Sequence, residues 1–130
     1  MSVPARTLRV LVVDDQASMR ALIRSYLRKM GFETIDEADS GKAAYLELGK
    51  RPYNLVISDM NMINGTGLEL LKMMRAHPVL KRVPVIMVTG NNDSGTVQSV
   101  VQAGVNGYVV KPVAQDQLEA RVTKILGPLS

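Results

Sequence analysis

Five short runs of apolar residues punctuate the chain, and longer segments between them repeat apolar positions at helical spacing. The first run, Leu8 to Val13, is continuous and β-branched, as expected of a strand buried on both faces. Met19, Leu22, Ile23, Tyr26, Leu27 and Met30 then form an apolar stripe that predicts a helix from about Gln16 to Met30, with Gly31 as its stop. The second run, Glu33 to Ala38, is polar and poorly patterned, which suits an edge strand. Ser40 is placed to cap a helix from about Gly41 to Gly49; Arg51-Pro52 breaks it and Leu55 to Ser58 is the third strand. Gly65 and Gly67 mark a turn before a helix from Leu68 to Ala76, which ends at His77-Pro78. Val83 to Val88 is the fourth strand, and Asn92, Asp93 or Ser94 can cap a helix ending at Gly104. Gly107 to Val110 is the fifth strand and Gln115 to Leu126 a final amphipathic helix.

Strands and helices thus alternate five times, the pattern of repeated βαβ units and of a doubly wound parallel α/β sheet. No linker interrupts it. The expectation is one domain over residues 1–130, with its core at about 8–126 and no output domain.

Right-handed crossovers put the carboxyl ends of all such strands on one edge of the sheet, where ligands bind. Asp14 and Asp15 follow the first strand, Asp59 the third, Thr89 the fourth and Lys111 the fifth. Singly, each has a bland explanation. The Asp14-Asp15 pair could cap the first helix, Asp59 could be a turn residue, and polar residues at strand ends are common. Together they form a constellation, because three carboxylates brought close repel unless a cation neutralises them. Oxygen donors without soft ligands point to Mg²⁺. A carboxylate can then accept a phosphoryl group as an acyl phosphate, with Lys111 as a mobile positive charge and Thr89 as a hydroxyl donor.

Composition narrows the chemistry further. The chain has no cysteine, which excludes disulfides, thiolate metal sites and a thiol nucleophile. The net charge of +4 and pI near 9.6 raise the question of nucleic acid, but there is one Phe and no Trp to interleave with basic residues. Only Arg20, Arg24 and Arg28, with Lys29, form an ordered basic ridge, to be read as a solvated helix face or as a docking ridge for an acidic partner. His77, the one histidine, is expected to be a solvated cap favoured at a helix end as a cation. No segment has the roughly 20 apolar residues of a membrane span, so neither membrane nor nucleic acid is an expected partner, and the expected location is the cytoplasm.

The segments Val-Val-Asp14-Asp15, Ile-Ser-Asp59-Met-Asn-Met with Gly65 and Gly67 behind it, Val-Thr89-Gly and Gly-Tyr108-Val-Val-Lys111-Pro112 resemble the response-regulator receiver domain of two-component signalling. The resemblance runs from Arg9 to about Leu126 and is closest to stand-alone chemotaxis-type receivers. It implies a flavodoxin-like fold with strand order 2-1-3-4-5 and helices on both faces. It implies Asp59 as phosphoacceptor, Asp15, Asp59 and the Asn61 backbone carbonyl as Mg²⁺ ligands, and Asp14 acting largely through water. Thr89 and Tyr108 would be a switch pair that remodels the surface of the fourth helix, fifth strand and fifth helix. The Lys111-Pro112 bond would be cis. The implied partners are a sensor histidine kinase or histidine phosphotransfer protein and a downstream target. The protein would be a monomer that catalyses only its own phosphorylation and dephosphorylation, not an enzyme acting on other substrates. On this resemblance the Arg20/Arg24/Arg28 ridge becomes a candidate part of the kinase-docking face.

Three positions depart from the family pattern or tune it: Ile63 stands where many members of the family have proline, and Asn61 and Asn91 occupy positions that in the family tune the rate of acyl-phosphate hydrolysis. Haloacid-dehalogenase-like phosphatases also use an aspartyl phosphate, but need a second Asp two residues after the nucleophile, where this chain has Asn61. A receiver-shaped scaffold that binds partners without being phosphorylated is the remaining alternative.

Overall fold

The computed structural model describes residues 2–62, 66–90 and 94–130, with Ser94 and Thr96 described by backbone alone. The elements are β1 (Arg9–Val13), α1 (Ala17–Lys29), β2 (Thr34–Ala38), α2 (Gly41–Leu48), β3 (Leu55–Asp59), α3 (Gly67–Ala76), β4 (Val85–Thr89), α4 (Ser94–Gln102), β5 (Gly107–Val110) and α5 (Gln115–Leu126). All pairings are parallel and the strand order is β2-β1-β3-β4-β5, as expected.

Alternation along the strands builds a core on each face of the sheet. Val10 and Val12 of β1 join Ile57, Val88, Val109, Ile23, Leu27, Leu118 and Val122 beneath α1 and α5. Leu11 and Val13 face the other way, with Val56, Met87, Leu48, Leu71, Met74 and Val100 under α2, α3 and α4. Every residue of β3 and β4 is buried, because these strands lie inside the sheet with helices over both faces. The polar β2 is at the edge, where Asp36 and Glu37 remain partly exposed.

Helix ends follow their local chemistry. Ser40 Oγ accepts the Ala43 N–H at 3.0 Å and caps α2 as predicted. Gly31 and Gly104 adopt φ of 103° and 94°, and the residue after each donates back across the last turn, Phe32 to Leu27 and Val105 to Val100, both at 3.1 Å. The turn ahead of α3 is a capping box in which Thr66 and Glu69 satisfy each other's backbone, so the helix starts one residue earlier than expected. Gly65, and Asn92 and Asp93 as caps of α4, lie outside the described residues.

Three expectations are corrected. Leu22, at the margin of the apolar stripe of α1, is 36% exposed, since the face that meets the sheet is narrower than the stripe. His77 is no cationic cap: its Nδ1 accepts the N–H groups of Val79 and Leu80 at 3.0 and 3.2 Å, which requires a lone pair there. The basic ridge of α1 is not a free face either. Arg20 and Arg24 both pair with Glu37 of β2, and Arg28 donates to the Glu33 carbonyl at 3.0 Å, so the ridge stitches α1 to the sheet edge. Helical spacing gave the ridge but not the acid it would meet.

Packing also reaches beyond residues 8–126. A 3-10 turn over Ala5–Thr7 buries Ala5 completely, and Val3 and Ser130 exchange backbone bonds with the opposite chain end. Near β2, Tyr53 donates one hydroxyl between Asp36 at 2.7 Å and Glu47 at 3.0 Å, while Arg9 holds Asp36 at 2.7 Å. Burial alone would raise the Asp36 carboxyl, but the Tyr53 and Arg9 bonds outweigh it and hold it below the ordinary range. Its stabilising contribution is therefore present above pH 3.8 and lost as pH falls through the lower folded value. Tyr53→Phe is expected to cost about 1 to 2 kcal/mol in urea unfolding at pH 7. The cost should shrink once the pH falls below the ordinary aspartate range; a constant cost down to pH 3 would mean that the hydroxyl's contribution does not depend on the charge of Asp36.

Candidate functional site

Register alone brings the site together. Val13 of β1 pairs with Ser58 of β3, so the next residues, Asp14 and Asp59, reach the carboxyl edge side by side. Asp59 pairs with Val88 of β4, and Thr89 pairs with Val110 of β5, which brings Thr89 and Lys111 to the same edge. Asp14, Asp15 and Asp59 each offer a carboxylate oxygen, all within 4.8 Å of one another. Asp14 and Asp59 are 1% and 4% exposed, whereas Asp15 is half-buried.

Charge in this pocket is only partly compensated. Lys111 Nζ lies 3.0 Å from Asp59 Oδ1, close enough for an ion pair but outside hydrogen-bond geometry, so this oxygen keeps an open acceptor position. Asp14 Oδ1 accepts the Gln16 N–H at 2.8 Å, while its Oδ2 is buried with no hydrogen-bond partner among the described residues. Burial raises the Asp14 carboxyl above its ordinary value; the Gln16 bond opposes this, and the charge of Asp59 reinforces it. A buried acceptor without a donor costs about 1–3 kcal/mol, more when charged, and a divalent cation bound by oxygen would remove that cost. The donor set fits a hard cation.

Capping does not explain the acidic pair. The N-cap position of α1 is Gln16, with no side-chain bond, and Asp14 instead closes a turn on that residue's amide. Thr89 is 3% exposed, and its carbonyl accepts the Lys111 N–H at 2.8 Å, just before the cis Lys111-Pro112 bond. Asn61 is exposed two residues beyond Asp59; Met60 between them donates to the Val88 carbonyl and accepts from Gly67, at 2.8 and 3.0 Å. Tyr108 is not in the acidic group. It is half-buried in β5 opposite Met87, lining a cleft with Val101, Val105, Arg121 and Lys124 of the α4, β5 and α5 face. Ile63 and Asn91 lie outside the described residues.

Two supporting residues escaped sequence reasoning. Ser58, fully buried, donates to the Asp59 carbonyl at 3.0 Å, and Gly67 packs directly on that same carbonyl. The glycine was visible as a turn marker, but its contact required the folded chain.

With the carboxylates, lysine and threonine at one sheet edge, the sequence matches the response regulator receiver domain over residues 10–123. The chain belongs to that family. It is 38% identical over 120 residues to the chemotaxis protein CheY-3 of Vibrio cholerae, covering 92% of each chain. It is 40% identical over 118 residues to the chemotaxis protein CheY of Pseudomonas aeruginosa, covering 91% of this chain and 95% of that one. In structure it is similar to the chemotaxis response regulator CheY4 of Vibrio cholerae, with a TM-score of 0.84 at 29% identity, covering 92% of this chain and 98% of the other. A putative response regulator from Chloroflexus aurantiacus gives a TM-score of 0.86 at 30% identity, over 92% and 97%. Receiver domains are signalling modules that bind Mg²⁺ at an acidic pocket, the place held here by Asp14, Asp15 and Asp59. Among the described residues no helix is long and apolar enough to cross a membrane.

Proposed function

We propose that this chain is a stand-alone, monomeric response regulator that takes a phosphoryl group onto Asp59 from a histidine kinase or a histidine phosphotransfer protein. Its output is a phosphorylation-dependent change of docking surface toward a target of the chemotaxis type, such as a flagellar motor switch, or toward a phosphorelay. The observation that carries this is the buried Asp59 carboxylate at the end of β3, with Lys111 Nζ 3.0 Å away and two further carboxylates within 4.8 Å.

A carboxylate oxygen of Asp59 attacks phosphorus; the phosphorus–nitrogen bond to the donor histidine breaks, and the departing imidazole keeps the electron pair and takes a proton from solvent. Lys111 offers a mobile positive charge to the incoming phosphoryl oxygens, and the Thr89 hydroxyl offers a donor. Asp15, Asp59 and the Asn61 carbonyl would ligate Mg²⁺, with Asp14 behind a water; when bound, the ion neutralises charge that builds on the phosphoryl group. Movement of Thr89 toward that group would free room for Tyr108 to turn inward, altering the face formed by α4, β5 and α5.

Intact mass after incubation with acetyl phosphate and Mg²⁺ tests the chemistry. The native protein should gain about 80 Da, one phosphoryl group, only when Mg²⁺ is present, and Asp59→Asn should gain nothing. An unchanged native mass together with no beryllofluoride binding would replace this reading by a receiver-shaped scaffold that is never phosphorylated.

A further inference from the structure

The acidic loop is held in place from outside its own carboxylates. Asp14 donates its N–H to the Ala38 carbonyl at the end of β2, at 3.1 Å. Its carbonyl, which has left the β1 ladder, accepts Arg20 Nη1 at 2.7 Å. From the same guanidinium, Nε donates to Glu37 Oε1 at 2.9 Å, and Glu37 directly precedes Ala38. Arg20 therefore ties the first turn of α1, the end of β1 and the end of β2 into one unit. With only 18% of its side chain exposed, it is not a waving surface cation.

A peptide unit is planar, so fixing the Asp14 carbonyl fixes the Asp15 amide and the α-carbons of both residues, and with the Asp14 N–H held by Ala38 it restricts the backbone rotations that set where the Asp14 side chain leaves the chain. The contact is with a main-chain oxygen, made by a charged donor and so roughly twice as strong as a neutral bond. We propose that Arg20 is a positioning residue for the acidic pocket: its two-pronged clamp on the Asp14 carbonyl and Glu37 aims Asp14 and Asp15 at a bound Mg²⁺. This rests on the reading of the pocket as a Mg²⁺ site. Groups that orient metal ligands without touching the metal typically change affinity 10- to 100-fold when removed.

Charge and geometry predict opposite signs here. If Arg20 acted only as a positive charge near a cation site, removing it would tighten Mg²⁺ binding; if it positions the ligands, removing it weakens binding. The test is titration calorimetry of the metal-free protein with Mg²⁺ alone, with ¹⁵N-amide spectra of the same samples to confirm the fold and to read the Asp15 amide. Arg20→Met should raise the dissociation constant about tenfold and shift the Asp15 amide before any metal is added. Arg20→Lys, which keeps the charge and the fold but cannot reach both partners, should weaken binding at least about threefold. Binding equal to or tighter than native in Arg20→Met, or native binding in Arg20→Lys, overturns the positioning role. Should Arg20→Met fail to fold, the lysine variant alone decides. Absence of Mg²⁺ binding in the native protein, matching an Asp59→Asn control, would instead overturn the pocket reading itself.

Discussion

Gly67→Ala is expected to destabilise the protein by about 3 kcal/mol or more and to slow phosphorylation of whatever remains folded. Gly67 opens α3, and a Cβ there would sit 2.3 Å from the Asp59 carbonyl oxygen and 2.6 Å from Met87 Sδ. The thioether can swing aside, since methionine is flexible. The carbonyl cannot: Ser58 Oγ donates to it, and the next residue, Met60, is bonded to both Val88 and Gly67. Relief therefore requires α3 to back away from β3 or the end of β3 to shift, and that end carries the carboxylate proposed to be phosphorylated. Urea unfolding should show a lower midpoint at unchanged m, because the surface exposed on unfolding stays the same. Gly90→Ala is the internal control. It lies one residue past Thr89 on the same edge, yet a Cβ there meets nothing within 4 Å among the described residues, so the loss should be under about 0.5 kcal/mol. Similar losses at both positions would make backbone freedom, not close approach, the reason for glycine at 67.

The difference between those glycines marks what a sequence can and cannot tell. Both stand at the functional edge, and the spacing of Gly65 and Gly67 announced a turn, but only the contact with Asp59 separates a needed glycine from a tolerant one. The same holds elsewhere. The runs at Leu11, Ile57 and Ile86 were legible because strands inside a parallel sheet are apolar on both faces and need no partner to be recognised. The edge position of β2 was legible for the converse reason. The convergence of Asp14, Asp15, Asp59, Thr89 and Lys111 followed from parallel topology, since each stands at or just past the end of a strand. Arg20 shows the limit. Its spacing with Arg24 and Arg28 was plain, but a helical wheel does not say that Glu37 and the Asp14 carbonyl lie across from it. Thr66 and Glu69 are a nearer miss, for the capping pattern stood in the sequence and was obscured by the two glycines around it. The fourth strand begins at Val85, two residues after the apolar run does, because a 3-10 turn and an Arg75 bond to its carbonyl keep Val83 outside the ladder although its side chain fits the run.

Asp14→Asn should make the metal-free protein more stable while removing most of its affinity for Mg²⁺. Burial holds the Asp14 carboxyl above its ordinary value, with Asp59 and Asp15 adding repulsion that the Gln16 amide and Lys111 only partly offset. The sign follows from linkage: a carboxyl with a raised folded value stabilises the fold while it is protonated, and that contribution is lost as pH rises from 3.8 through the folded value. Each ionised Asp14 therefore buries a charge whose Oδ2 has no donor among the described residues. Asparagine keeps the shape and an oxygen for the Gln16 N–H, and its amide group can donate to a neighbouring carboxylate. A gain of about 1–2 kcal/mol at pH 7 in chelator is expected, disappearing near pH 3, where the native carboxyl is protonated as well. Adding Mg²⁺ should reverse the order, since a ligand that binds only the folded state stabilises it in proportion to RT ln(1 + [L]/Kd) and the variant has lost that term. If Asp14→Asn were instead the less stable protein in chelator, Asp14 would be a structural turn residue, and the orphaned oxygen would no longer support a pocket strained toward its cation.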